Sequence, residues 1–357
     1  MPIIPLYGHQ AIQQRVREAV ARQALPASLL LHGLRGVGKQ RLALWIGQLL
    51  LCSSAERPCG ACQHCRYVAD LCHPDLHWFY PRPRLKDADA SGAEVREDYA
   101  DAAADRAKAA GLYAPPSGSD GIYVSTVRAL VQLAAMAPAM GRRKVFVVGD
   151  AERMVPQEGA DAAANAFLKL LEEPPADTTI ILTSSEPGGL LATIRSRVVG
   201  VRVAPLRPAD VEAFLDDGAV GRALDADRVP KDRATRLRLA GGAPGSLLGA
   251  TDRAPALDAA RRMLEAATRG GDAQRHRLAF AQKTSGARGE FTGTLHALTT
   301  LLRDRVQEAT ARGDDRTALA ASRGVAHVER AKALAGGNVN PQLVSARLLR
   351  ELAADFR

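Results

Sequence analysis

Aromatic residues are scarce in this sequence, at 4% of its 357 residues, and this argues against a chain built mainly on aromatic platforms that stack nucleic-acid bases. Long hydrophobic runs are also missing. Apolar stretches such as Leu29–Leu31 and Leu49–Leu51 are far too short to span a bilayer. The N-terminus, Met-Pro-Ile-Ile-Pro, lacks the basic and apolar segments of a signal peptide. We therefore expect a cytoplasmic protein without a membrane segment.

Lysine is rare among the basic residues, because only eight of the 48 are Lys and the rest are Arg. The formal net charge of +9 permits an anionic partner but does not require one, since an Arg- and Ala-rich composition can reflect the genome. Hydrophobic residues make up 46%, enough for packed cores, which excludes a disordered chain. The length suits two or three domains.

Cysteine is confined to one short stretch, since all five cysteines lie between Cys52 and Cys72. Such clustering in a cytoplasmic protein indicates a metal site rather than disulfides, although free thiols are the alternative. Two Cys-x2-Cys steps let four thiolates converge on one zinc ion, and four protein ligands leave no open position, so the predicted role is structural. Of the competing ligands, His64 should point away from the metal and Cys72 should lie in the core. The predicted zinc ligands are Cys52, Cys59, Cys62 and Cys65.

Apolar runs alternate with helical patterns before Pro205, which predicts an α/β fold with a mostly parallel sheet wrapped by helices. Residues 82–120 lack steady periodicity and are predicted to form a surface insertion, partly helical or mobile. Residues 206–250 are predicted to form short helices, and 254–357 to be entirely helical. The predicted strands are residues 28–32, 76–80, 144–148, 178–182 and 198–203.

A glycine-rich segment, Gly33-Leu-Arg-Gly-Val-Gly-Lys39-Gln40, lies between a predicted strand and a predicted helix. Glycines in such a loop let backbone N–H groups turn toward phosphate oxygens, Lys reaches the β- and γ-phosphates, and a Ser or Thr holds Mg²⁺. This setting favours a phosphate loop over a strand-to-helix turn without a ligand. The candidate nucleotide-binding residues are Gly33, Gly36, Gly38 and Lys39.

Both positions that should hold Mg²⁺ carry other residues. Gln40 replaces the hydroxyl, and a carboxamide is too long for that position and a poor ligand. The strand 144–148 should end in an Asp that orients the metal, but Gly149 stands there. Asp150 comes one residue later, so its side chain should point elsewhere. We therefore expect a site that no longer hydrolyses nucleotide, and the sequence leaves open whether ATP or ADP binds.

Two further segments have residue types that contact phosphate. Thr183-Ser-Ser-Glu-Pro187 follows a predicted strand and could present a hydroxyl to a γ-phosphate, or it could be a polar loop that caps the next helix. Arg197 precedes the last predicted strand. An arginine at a subunit edge can stabilise phosphoryl transfer in a neighbour's site, and the alternative is a solvated surface arginine.

Together these segments resemble one known family, the bacterial clamp-loader subunits of the AAA+ class, in both order and spacing. The resemblance covers roughly the first 250 residues, and beyond them only length and helicity match. It rests on Leu29-Leu-Leu-His-Gly33 with the phosphate loop, the four cysteines, His73-Pro74-Asp75, Asn165-Ala-Phe-Leu-Lys-Leu-Leu-Glu-Glu-Pro-Pro175 and Ser196-Arg197.

The resemblance implies three domains. These are a RecA-like AAA+ domain at 1–205 with a zinc module at 52–65 and the insertion at 82–120, a helical lid at 206–252, and an all-α collar for oligomerisation at 253–357. It also implies that Arg197, with Val198 in place of the family's Cys, supplies an arginine finger in trans. Gly245 matches the sensor-2 position, where motor subunits keep an arginine, and would be a third loss of nucleotide contacts.

The implied function is that of a non-hydrolysing subunit of the DNA polymerase III holoenzyme, which helps to load the sliding clamp on primed DNA during replication. The implied partners are motor subunits of the gamma/tau type and the delta subunit in a hetero-oligomeric ring, the sliding clamp, and primed DNA through the complex. Two other classes of protein are the alternatives, an ATPase motor and a nucleic-acid-binding module. Gln40 and Gly149 count against an active gamma/tau-type ATPase motor, and sparse aromatics count against an independent zinc-containing nucleic-acid-binding module.

Overall fold

A computed structural model describes residues 2–85, 90–116, 120–154, 161–227, 229–282, 288–336 and 339–356, with the backbone alone at 161–163, 250–254, 288–289 and 336. The chain divides into two compact units. The first comprises Met1–Pro116 and Asp120–Ala250, and Thr251–Arg357 belong to the second. None of the described helices combines the length and hydropathy that spanning a bilayer requires.

The first unit is built on a five-stranded parallel sheet, which confirms the predicted α/β class. The strand order is β2-β3-β4-β1-β5. The two strands β3 and β4 are buried along their whole length because they read as continuous apolar or β-branched runs flanked by strands on both sides. The strands are β1 Ser28–Gly33, β2 Leu76–Phe79, β3 Lys144–Val148, β4 Thr178–Ser184 and β5 Val199–Val203.

Helices cover this sheet, and its core is formed by apolar side chains of the central strands and of the helix that follows the glycine-rich loop. Fully buried members include Leu31, Leu42, Ile46, Phe146 and Ile181. The helices of the first unit are α1 Gln10–Ala21, α2 Lys39–Leu51, α3 Gln63–Ala69, α4 Gly92–Lys108, α5 Val124–Ala135, α6 Asp161–Glu172, α7 Ala192–Arg195, α8 Pro208–Leu215, α9 Gly218–Ala226 and α10 Arg233–Ala240.

The predicted insertion at 82–120 is partly helical as expected, but its helix α4 packs against the sheet's core, and residues 86–89 and 117–119 lie outside the described part of the chain. Ser91 begins this helix with a capping box, in which its hydroxyl accepts from the Glu94 backbone N–H and the Glu94 carboxylate accepts from the Ser91 N–H. Val95 and Tyr99 are buried, and the Tyr99 hydroxyl donates to the Tyr80 carbonyl at 2.6 Å. The sequence did not predict this packing, because few side chains of the helix are buried and its apolar residues therefore show little helical spacing.

Residues 206–250 have a small hydrophobic core of their own, formed by α8, α9, α10 and the segment after them. Val220 and Leu224 are fully buried there, and Ile4 and Tyr7 of the N-terminal segment pack against it. The Tyr7 hydroxyl donates to the Asp217 carboxylate at 2.7 Å. The division of the chain nevertheless places this segment with the sheet, and the separate lid at 206–252 stays a prediction.

In its described residues, the second unit consists of helices and the short segments that connect them. Its core is lined by Leu and Ala stripes, with Leu295, Leu298, Leu302 and Leu352 fully buried. The helices are α11 Ala250–Thr268, α12 Asp272–Phe280, α13 Arg288–Ala311, α14 Asp315–Gly336 and α15 Pro341–Asp355.

Candidate functional site

The glycine-rich loop lies at the carboxyl edge of the sheet, where ligands of open α/β sheets usually bind. It leaves β1 at Gly33 and enters α2 at Lys39. Gly36 and Gly38 have φ angles of +81° and +95°, in the left-handed region where a side chain would be strained. Because the carboxyl ends of parallel strands share one edge, the residues after β3 and β4 lie beside this loop.

Lys39 is folded back onto its own loop. Its ammonium donates to the carbonyls of Gly33 at 3.1 Å and Leu34 at 2.8 Å and to the Ser185 hydroxyl at 2.9 Å. The residue is 5% exposed, and burial lowers the pKa of its ammonium to about 8. All three donors of the ammonium are therefore engaged, and a phosphate would have to displace at least one of these partners.

Gln40 fills the space above Gly149. A Cβ placed on Gly149 would lie 2.4 Å from Gln40 Oε1 and 2.6 Å from its Nε2. Both polar atoms of the amide are hydrogen-bonded, because Nε2 donates to the Asp150 carboxylate at 3.0 Å and Oε1 accepts from Trp78 Nε1 at 3.0 Å. The two residue changes noted in the sequence are thus complementary in space, since the long side chain at one position occupies the room left by the missing side chain at the other.

The expectation that Asp150 points elsewhere is wrong. Asp150 has φ 46° and ψ 52°, and this left-handed backbone turns its carboxylate back toward Gln40. Its N–H donates to the Thr183 hydroxyl at 3.1 Å. The alternation of side chains between the two faces of a strand ends with β3 and does not extend to the following turn, where Asp150 lies.

The polar loop after β4 meets the glycine-rich loop. Ser185 accepts from Lys39, and its backbone N–H donates to Glu152 Oε1 at 2.9 Å. Glu152 Oε2 is buried with no hydrogen-bond partner among the described residues. Burial, followed by the charge of Asp150, raises the pKa of the Glu152 carboxyl. Ser185 therefore lies where the sequence suggested a phosphate-facing hydroxyl, but here it contacts the lysine.

Gly245 lies directly on the glycine-rich loop. Its N–H donates to the Gly36 carbonyl at 2.9 Å, and a Cβ at Gly245 would lie 3.1 Å from the Gly36 Cα. A Cβ on Gly36 would in turn lie 2.2 Å from the Ser246 nitrogen. The backbones approach so closely that an arginine at position 245 would need the two segments to move apart.

A cavity of about 140 Å³ adjoins this loop within the first unit. The N-terminal segment, the segment 111–116 and residues 206–248 contribute apolar walls, and Arg35, Lys39 and Arg41 contribute cationic ones. Arg41 donates from Nε to the Ile4 carbonyl at 2.7 Å. Its Nη1 is buried without a hydrogen-bond partner among the described residues. The cavity thus combines an apolar compartment with positive charge.

Arg106 of α4 lies in a cage of three aromatic rings, two of which, Trp78 and Tyr113, line this cavity, and the sequence did not predict this cage. Its guanidinium carbon is 3.2 Å from the ring centroid of Tyr80, 3.9 Å from that of Tyr113 and 4.3 Å from that of Trp78. Cation–π attraction favours this arrangement, whereas burial lowers the pKa of Arg106. Trp78 links the cage to the Gln40 amide.

The four predicted cysteine ligands converge at one point. All four Sγ atoms lie within 4.8 Å of one another, and Cys52 Sγ is 3.6 Å from Cys59 Sγ and 3.8 Å from Cys62 Sγ. A tetrahedral ion with bonds of about 2.3 Å separates its sulfur ligands by about 3.8 Å. The geometry of Cys52, Cys59, Cys62 and Cys65 therefore fits a tetrahedral metal ion.

The two competing ligands lie outside the cluster. His64 Nδ1 is 2.9 Å from His73 Nε2, so this ring pairs with a second histidine. Cys72 was expected in the core and is exposed, after the end of α3, so that expectation is wrong. Leu71 has a φ of 55°, and a turn there leads the chain to the surface before β2.

Arg197 lies between α7 and the edge strand β5. Its Nε donates to Glu172 Oε2 at 3.1 Å, and its Nη1 donates to the Thr193 carbonyl at 3.0 Å. The side chain is 31% exposed and that of Glu172 is 58% exposed. The guanidinium is therefore held at the surface rather than buried in the sheet's core.

A family model described as "DNA polymerase III, delta subunit" matches residues 8–207. DNA polymerase III subunit delta' of Escherichia coli (strain K12) is 30% identical over 223 residues, which cover 62% of this chain and 53% of the relative. The same subunit of Pseudomonas aeruginosa is 33% identical over 172 residues, 48% of this chain and 40% of the relative. The chain spans about half the length of the curated relatives it matches.

More distant similarities extend along more of the chain. DNA polymerase III subunit gamma/tau of Mycobacterium tuberculosis is 28% identical over 250 residues, which cover 69% of this chain and 36% of the relative. Among solved structures, a DNA polymerase III gamma subunit-related protein of Thermotoga maritima is 16% identical with a TM-score of 0.40, over 98% of this chain and 99% of that one.

Proposed function

This chain belongs to the DNA polymerase III delta-subunit family, and from that membership we propose that it is a clamp-loader subunit that does not hydrolyse ATP itself. In this proposal it helps to load the sliding clamp on primed DNA and contributes an arginine finger, Arg197, to a neighbouring ATPase subunit. The partners are motor subunits of the gamma/tau type and the delta subunit in a hetero-oligomeric ring, together with the clamp and, through the complex, primed DNA.

The packing of Gln40 over Gly149 is the main support for the proposal that this chain does not hydrolyse ATP. Hydrolysis in phosphate-loop enzymes needs Mg²⁺ held by a hydroxyl and a carboxylate at these two places. Here Gln40, a residue that is 5% exposed, occupies the space with its amide, and both the nitrogen and the oxygen of that amide are already hydrogen-bonded. The close approach of Gly245 to Gly36 further restricts the space above the loop.

The position of Arg197 supports its role in trans. A finger must be accessible to a neighbouring subunit, and this side chain is partly exposed beside the edge strand β5. Its planar guanidinium suits the charge that develops on a transferring phosphoryl group. Its exposed ion pair with Glu172 contributes little to folding stability, so a role in the assembled ring accounts for the residue better than a role in the isolated chain.

The first experiment has two parts. The purified chain with Mg²⁺ and ATP is expected to show no steady-state hydrolysis. In the assembled clamp loader, Arg197→Ala is expected to lower the ATPase rate stimulated by clamp and primed DNA by about 10³-fold, because trans arginines contribute about that much. Arg195→Ala, a change of a nearby exposed arginine, is the control and should have little effect. Unchanged turnover with Arg197→Ala would remove the finger role.

The alternative is an active motor of the gamma/tau type. It is favoured by the intact glycines and Lys39 and by relatives named tau or gamma/tau, at 26% to 28% identity. Clear turnover by the isolated chain that is lost in Lys39→Ala would support this alternative and overturn the non-hydrolysing role.

We also propose that the four-cysteine cluster holds a structural zinc ion. Zinc would join the end of α2 to the start of α3 through Cys52, Cys59, Cys62 and Cys65, with no ligand position left for catalysis. Metal analysis of the untagged chain is expected to find about one zinc per chain. Cys62→Ser should lower both metal content and thermal stability, whereas Cys72→Ser, outside the cluster, should change neither. Protein without metal would contradict the proposal.

A further inference from the structure

Glu172 occupies a position that helix stability does not explain. It is the last residue of α6, where the negative end of the helix dipole disfavours an acidic side chain, and Glu173 beside it adds another negative charge. The only hydrogen bond of its carboxylate among the described residues is the one that it accepts from Arg197. Pro174 and Pro175 follow Glu173 and end the helix, so the backbone that bears Glu172 is fixed near Arg197.

The contacts of Arg197 engage one side of its guanidinium and leave the other open. Nε donates to Glu172, and Nη1 donates to the Thr193 carbonyl at 3.0 Å and, more weakly, to the Ser196 hydroxyl at 3.4 Å. Nη2 has no hydrogen-bond partner among the described residues. An arginine side chain loses much rotamer freedom when it is held in one geometry, and here that ordering has already taken place in the free subunit.

Resting on the proposed trans role of Arg197, we propose that Glu172 is a positioning residue, which holds the Nε side of the guanidinium and presents Nη2 to a phosphate oxygen bound by the neighbouring subunit. Thr193 provides the second fixed point through its carbonyl. Two elements hold the same guanidinium, α6 through the Glu172 carboxylate and α7 through the Thr193 carbonyl, and these contacts favour one direction for Nη2.

A positioning role differs from an inhibitory one. If Glu172 were inhibitory, it would have to occupy the donors of Arg197 that face the phosphate, and removal of its carboxylate would accelerate the neighbour's ATPase. Glu172 engages Nε instead and leaves both hydrogens of Nη2 available. Removal of the carboxylate should therefore slow the chemical step, because the guanidinium must then be ordered at each turnover.

The test measures the clamp- and DNA-stimulated ATPase of the assembled complex with Glu172→Ala, Glu172→Gln and the matched control Glu173→Ala, since within the described part of the chain no hydrogen bond or ion pair joins Glu173 to Arg197. Glu172→Ala is expected to lower kcat by about two- to five-fold, the range of one exposed charge pair, with KM for ATP unchanged. Glu172→Gln keeps an acceptor and should retain more activity than Glu172→Ala. Glu173→Ala should match the unsubstituted chain.

A second measurement excludes a merely structural effect. In an Arg197→Ala background, Glu172→Ala should cause no further loss, and in the free subunit it should leave thermal unfolding and ring assembly unchanged. Loss of assembly, additive loss of activity, or a faster ATPase with Glu172→Ala would overturn the positioning role. If Arg197→Ala suppresses ATPase and Glu172→Ala does not, the positioning role alone fails; if Arg197→Ala has no effect, the proposed function fails.

Discussion

At the scale of single residues, the paired identities of Gln40 and Gly149 are the most informative feature of this chain. Read separately, each is a lost magnesium contact. In the structure one amide replaces the hydroxyl, occupies the space of the missing carboxylate and satisfies both Asp150 and Trp78. A carboxylate side chain restored at position 149 alone would therefore clash with Gln40. A hydroxyl side chain restored at position 40 alone would leave an unfilled polar space.

We predict that Gly149→Ala destabilises the chain by about 1–3 kcal/mol, because its Cβ would overlap a pinned and buried amide. The cost should be much smaller in a Gln40→Ala background, where the overlapping atoms are gone. Urea unfolding of the two single variants and the double variant measures this coupling. Strictly additive free energies would show that the two residues do not share the space.

At the scale of elements, α4 is the least expected part of the fold. It belongs to the segment 82–120, yet it buries Val95 and Tyr99 and inserts Arg106 among three aromatic rings. Through Tyr113 and Trp78 the same cage lines the cavity beside the glycine-rich loop. The element therefore helps to shape the candidate site as well as the core.

Arg106→Ala is expected to destabilise the chain by about 2 kcal/mol or more, because it removes a desolvated cation–π contact and leaves the rings unpacked. Lys108→Ala on the same helix is the matched control. Lys108 is exposed and forms an ion pair with exposed Asp105, so its loss should stay within about 0.5 kcal/mol. Denaturant unfolding followed by tryptophan fluorescence compares the two, and equal effects would contradict the structural importance of the cage.

At the scale of the whole molecule, the described residues contain three separate hydrophobic cores, in the sheet, in residues 211–248 and in α11–α15. The core of α11–α15 is built from its own helices. The core of residues 211–248 depends on Ile4, Tyr7 and Leu112, which come from elsewhere in the first unit. A segment that contains its complete core should fold by itself, whereas a segment whose core needs side chains from elsewhere should not.

We expect a fragment of residues 250–357 to be helical and to unfold cooperatively, since it carries a complete core. A fragment of residues 206–250 should remain unfolded, because it is short and loses the apolar contacts from the N-terminal segment. Far-UV circular dichroism with thermal melts tests both. A cooperative transition in the shorter fragment would favour the separate lid that the sequence predicts.

Prediction from the sequence succeeded where the signal was local. The strands β1, β3 and β4 were located because their apolar runs are continuous, and the four-cysteine cluster because its spacing alone permits convergence. It failed for Asp150 and Cys72, where a left-handed turn redirected the chain, and for the burial of α4 in the core, since the few buried side chains of this helix give little periodicity.

The sequence by itself determined the parallel α/β class, the glycine-rich loop and the convergent cysteines, because each depends on residues that are near one another along the chain. Only the tertiary structure decided what fills the candidate site. Gln40 and Asp150 are 110 positions apart, and the contacts of Gly36 with Gly245 and of Arg197 with Glu172 likewise join distant segments. Local spacing carries no information about such neighbours, since the strand order and the packing of helices on the sheet bring them together.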